Sequence, residues 1–113
     1  MKTIPSKIKI GYQTYKLEGV DKGMAEQLGI CGQIDYNKEH ILYNQELKPL
    51  ELFNTILHEC LHGIFQYHGT NFKNSKHEED IVNTVANGLT TLLVDNPKFI
   101  AYLKHALKET END

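Results

Sequence analysis

The stretch PLELFNTILHECLHGIFQYHG, residues 49 to 69, places apolar side chains at spacings of three and four: Leu50, Phe53, Leu57, Cys60, Leu61 and Ile64. That period predicts one long amphipathic α-helix, with Pro49 in its first turn and Gly69 closing it. Inside it stands His58-Glu59-Cys60-Leu61-His62, the pattern H-E-x-x-H. Residues four apart lie one above the other on a helix, so His58 and His62 can offer two imidazoles to one metal ion. Glu59, about 100° round the axis, then faces the water on that metal. With six His in the chain, the pattern would arise by chance only about 0.03 times per chain of this composition. On a helical wheel both histidines fall at the border of the apolar face, where an open metal site belongs. Cys60 points into that face, which makes it a small core residue and not a ligand.

A catalytic zinc usually takes three protein ligands and leaves a fourth position for water. The stretch beyond Gly69 is polar as far as Lys76, and Ser75 with Glu78 fits a capping box that opens a second helix with an apolar face of Ile81, Val82, Val85, Leu89 and Leu92. Glu78, Glu79 and Asp80 stand in its first turn. Glu78 is the partner of Ser75 in the box and points toward the apolar face, whereas Asp80 points to solvent. Glu79 lies at the border, so two antiparallel helices packed through their cores would bring it to His58 and His62. Glu79 is the first choice for third ligand and Glu78 the next. The bland alternative is that all three acids merely stabilise the positive end of the helix dipole. Asp95-Asn96-Pro97 breaks this helix and offers Asn96 as N-cap of a third, carrying Phe99, Ile100, Leu103 and Leu107, with fraying expected from Glu109 onward.

The N-terminal half has a period of two. Ile8 and Ile10, then Tyr15 and Leu17, alternate around a turn at Gly11-Tyr12-Gln13, and Ile30 to Tyr36 and His40 to Tyr43 flank Asn37-Lys38-Glu39. Two hairpins and a small antiparallel sheet are expected, with a short helical segment from Asp21 to Leu28 between them. The whole reads as an α+β chain, one domain over residues 1 to 113: two N-terminal hairpins on a pair of helices, plus a C-terminal helix.

Composition narrows the function. Twelve basic against fifteen acidic residues give a formal charge of -3, which does not favour a nucleic-acid surface. The N-terminal residues show no apolar run of a secretory signal and no segment reaches the length of a membrane span, so a cytoplasmic protein is expected. Cys31 and Cys60 are then reduced thiols.

The H-E-x-x-H helix followed by Glu79-Asp80-Ile81-Val82-Asn83, with Val85-Ala86, Leu89 and Leu92-Leu93 after it, resembles the ImmA/IrrE-like, minimal gluzincin-type metallopeptidases of phages and mobile elements. Those pair H-E-x-x-H with a later helix of pattern E-x-x-x-N, and the match covers mainly residues 50 to 93. The resemblance implies a zincin-like pair of helices, Zn2+ held by His58, His62 and Glu79, Glu59 as catalytic acid/base, and Asn83 supporting a ligand. The function it implies is a zinc-dependent peptidase acting on a protein or peptide substrate, without nucleic acid or membrane. The alternative is a catalytically silent protein on the same scaffold that works by occupying a partner protein. Tyr36, Tyr67, His68 and His77 are open candidates for stabilising the oxyanion, and an extended substrate is expected to pair with an exposed strand around Ile41 to Tyr43.

Overall fold

The computed structural model describes residues 3 to 111, and side chains as far as Lys108. Met1, Lys2 and the last two residues of the tail expected to fray lie outside the described residues. Four strands and four helices follow in the order β1 (Lys7–Ile10), β2 (Gln13–Val20), α1 (Lys22–Leu28), β3 (Gly32–Asp35), β4 (His40–Asn44), α2 (Pro49–His68), α3 (Ser75–Asp95) and α4 (Pro97–Glu111). The chain is α+β, with the sheet in the N-terminal half and the long helices after it. Among the described residues no helix is long and apolar enough to cross a membrane.

The sheet is mixed, not antiparallel. Its order is β1-β2-β4-β3. Both hairpins form, but β4 lies parallel to β2, with Leu17 opposite Ile41 and Gly19 opposite Tyr43. The connection through α1 and β3 is long enough for a parallel return. Burial selects this arrangement: Tyr15 and Leu17 of β2 and Ile41 and Tyr43 of β4 are the buried apolar residues of the sheet's centre, so these two strands sit inside and β1 and β3 take the edges. The strand around Ile41 to Tyr43 is therefore interior, and the expectation that it presents a free edge is corrected. The first turn is also tighter than expected, since Ile10 already pairs with Gln13.

Helix α2 is the middle layer. One side packs on the sheet, where Cys60 joins Tyr15, Leu17, Ile41 and Tyr43. Burial pushes the Cys60 thiol up to about 11, in keeping with an inert core residue. Its other side packs on α3, where Leu61 meets Val82 and Ala86. The packed face of α3 runs through Val82, Ala86 and Thr90, whereas Leu89 and Leu92, expected inside, are exposed. Small side chains allow the helices to approach, and that turns α3 away from its bulkiest stripe. Gly69 ends α2 in the left-handed conformation at φ 64, and its amide donates to the carbonyls of Phe65 and Gln66.

Two expected caps differ. The N-cap of α3 is Asn74, whose side chain accepts from the amide of His77, so Ser75 and Glu78 form no capping box. Asn96 stands at the start of α4 as expected, its carbonyl accepting from the amides of Phe99 and Ile100, but its side chain donates back to the Leu92 carbonyl and closes α3.

Close approach of β3 to α2 places the edge strand against the histidine helix. A Cβ on Gly32 would lie 2.6 Å from Thr55 Cγ2 and 3.3 Å from Glu59 Oε2, so only glycine lets the strand come this near. Gly32→Ala is expected to cost about 1–3 kcal/mol, read as a lowered unfolding midpoint, and Thr55→Ala in the same chain should restore most of it. An unchanged midpoint in the single variant would remove this packing argument.

Candidate metal centre

His58 and His62 stand one turn apart on α2, with ring centroids 4.9 Å apart. Antiparallel packing of α3 brings its first turn across from them. His58 Nε2 lies 3.0 Å and His62 Nε2 2.9 Å from the same oxygen, Glu79 Oε1. The three donor groups all lie within 4.8 Å of one another. Zinc bonds to nitrogen and oxygen of about 2.0–2.2 Å place ligand atoms of a tetrahedron roughly 3.3 Å apart. The two imidazole–Glu79 separations fall a few tenths of an ångström short of that, so His58, His62 and Glu79 could hold a metal ion with side-chain shifts.

Glu78 and Glu79 take different places. Glu78 Oε2 accepts from His62 Nδ1 at 2.6 Å, on the far side of the ring from Glu79. A carboxylate on Nδ1 fixes the ring and leaves Nε2 as the nitrogen that faces a metal. Released from the capping box by Asn74, Glu78 is thus an orienting group for His62, and the geometry favours Glu79 over Glu78 as third donor. Asp80 is directed to solvent, as expected, and pairs with Lys76. Asn83 stands exposed on the groove wall beside His58 and Glu79, but its side chain makes no hydrogen bond to either among the described residues.

Glu59 is buried at 7% exposure and faces the same space. Burial raises its pKa, the neighbouring imidazoles of His58 and His62 oppose the rise, and Glu79 adds to it. For His62, burial disfavours the charged ring, but hydrogen bonds to Glu78 and Glu79 and the charges of Glu59 and Glu78 outweigh it, so the net shift is upward. Without metal, the His62 ring can thus hold a proton on each nitrogen between two carboxylates.

The site opens into a cavity of about 600 Å³ bounded by β3, α2 and the start of α3. A second, of about 380 Å³, continues from it and shares Gly32, His58, Glu59 and Glu79. Of the four oxyanion candidates only Tyr36 lines the cavity. Its hydroxyl donates to the His62 carbonyl at 3.4 Å, and burial, with Glu78, Tyr15 and Glu59 adding, pushes its pKa up to about 12, so it remains a neutral donor. The other three are engaged elsewhere. His77 Nδ1 accepts from the Lys73 amide, Tyr67 stacks edge-on against Tyr12, and His68 stacks against Tyr67. Cys31 and Cys60 are free thiols, and His40 faces Glu18 Oε1 at 3.3 Å.

Comparison with protein families, with curated proteins and with solved structures returned no match.

Proposed function

We propose that this chain is a zinc-dependent peptidase, with His58, His62 and Glu79 holding the metal and Glu59 as general base. The observation that carries the proposal is the meeting of two imidazole Nε2 atoms on one Glu79 oxygen, beside the buried Glu59 carboxylate in an open groove. Two imidazoles and a carboxylate are a donor set that zinc takes at catalytic sites, with room left for water. Bound there, zinc would lower the pKa of its water to near 7 and polarise a carbonyl oxygen.

The residues divide the remaining work. Glu59 takes a proton from the attacking water and gives it to the leaving amine nitrogen, and its burial raises its proton affinity toward the range this needs. Glu78 keeps the His62 ring oriented. Tyr36 is the hydroxyl donor on the groove wall that can serve the oxyanion of the tetrahedral carbon. An extended peptide finds a free sheet edge at β3, where Gly32, Gln33 and Ile34 line the cavity, in place of the interior strand β4. We place the protein in the cytoplasm, where both thiols stay reduced.

The test is metal content per chain after purification without a His tag or added metal, followed by cleavage of a randomised peptide pool. About one zinc per chain and cleavage are expected. A folded chain that takes up no zinc when supplied would overturn the proposal.

The proton on His62 gives this binding a pH dependence. Its folded pKa is raised above 6.5, so the stability that this proton contributes is complete below that value and is lost as pH rises through the folded pKa. Glu59, also raised, acts in the same sense, from 4.5 upward. The metal-free chain should therefore lose the Glu59 contribution as pH rises above 4.5 and the His62 contribution as it rises above 6.5, while zinc, which needs the ring deprotonated, stabilises most at the upper end of that range. Unfolding midpoints with and without zinc across that range check this. A zinc-induced rise that is the same at both ends would contradict it.

A further inference from the structure

The metal site lies at one end of a longer polar seam between α2 and α3. Along α2, Glu51, Asn54, His58 and His62 recur at spacings of three and four, and along α3, Glu79, Asn83 and Asn87 recur at four, so each set shares a face of its helix. A third cavity, of about 310 Å³, continues the seam away from the metal site and has Asn54 in common with the second. Asn54 Nδ2 donates to Asn87 Oδ1 at 2.9 Å across it. Thr90, in the wall of this cavity, is 5% exposed and its hydroxyl has no hydrogen-bond partner among the described residues. The hydroxyls of Thr84 and Thr91 on the same helix donate to the carbonyl four residues back, so Thr90 departs from the local habit where the cavity lies.

We infer that this seam is a substrate subsite, which holds an extended, uncharged stretch of the peptide by side-chain amides and a hydroxyl. The inference rests on the peptidase reading and adds where the chain beyond the scissile bond goes. Side-chain amides carry both a donor and an acceptor, as peptide groups do, and the described lining of the third cavity offers no cation to an anionic ligand. From His62 to Glu51 the helix spans roughly 16 Å at 1.5 Å per residue, which an extended peptide covers in about five residues. A ligand peptide group would also supply the partner that the Thr90 hydroxyl lacks. Glu51, exposed at the far end, favours a basic group on the segment that reaches it.

Alanine-based peptides of about three to eight residues, built around the pair preferred in a randomised pool, give the test. In the zinc-supplied wild type, kcat/KM should rise with length and level off near about five residues. Asn87→Leu should lower it about tenfold on long peptides and leave the shortest unchanged, and Thr90→Val should act in the same direction. Equal loss at all lengths, or no length dependence in the wild type, would overturn the inference. Asn87→Asp serves the same purpose if the leucine variant does not fold. A second readout needs no cleavage: with zinc-supplied Glu59→Gln and the randomised pool, the side-chain amide signals of Asn54 and Asn87 and the Thr90 methyl should shift in NMR spectra. Shifts confined to β3 would also overturn it. Absence of zinc uptake and of all cleavage would instead remove the peptidase reading on which it rests.

Discussion

Glu59→Gln is expected to keep zinc and to lower peptide hydrolysis by about 10²–10⁴-fold, the range that a positioned acid/base contributes. Glutamine fills the same buried space beside Gly32, so folding and the imidazole–Glu79 arrangement should persist. What is lost is the carboxylate that accepts a proton. Peptide cleavage per zinc-loaded chain, with metal content measured on the same sample, checks this. Unchanged cleavage would assign the proton transfer to another group. A protein equally effective in cells with either residue, and cleaving nothing in either form, would favour the alternative in which the scaffold acts by binding a partner.

His62→Ala is expected to abolish stoichiometric zinc binding, because it takes away a proposed ligand, strands Glu78 and leaves Glu79 with His58 alone. Glu78→Gln should be milder, costing about 10–100-fold in zinc affinity, since it loosens the ring without removing a metal donor. The contrast separates a ligand from the group that orients it. In the metal-free state the same His62 change removes a proton-holding contact, so the variant should also lack the part of the pH-dependent stability that His62 contributes. Competition titrations with a chelator of known zinc affinity give both numbers. Equal losses for His62→Ala and Glu78→Gln would mean that Glu78 is itself a ligand.

Local rules went far in this chain because its candidate site lies on regular helices. The three-and-four spacing from Leu50 to Ile64 fixed α2, Pro49 and Gly69 marked its ends, and a helix repeat then required His58 and His62 to share a side. Glu79 followed from the same periodicity at the border of α3, and Cys60 was placed in the core by its angle alone. Positions that depend on partners were less accessible. Glu78 satisfies a sequence rule for capping, yet Asn74 wins that role, which leaves Glu78 to the imidazole that arrives from another helix.

The tertiary structure alone decided what needs several elements at once. Strand order depends on which strands pair along both edges, and alternation within β4 could not show that β2 would claim its second edge in parallel. That choice gave the site the edge strand β3. Tyr36 was one of four equal candidates until the second hairpin brought it onto the groove wall. The polar seam beyond Asn54 has the same origin, because Asn54, Asn87 and Thr90 come from two helices whose rotation about each other is set by Val82 and Ala86 against Leu61. Periodicity determines which residues share a face, whereas packing, summed over many contacts distant in sequence, determines what each face meets.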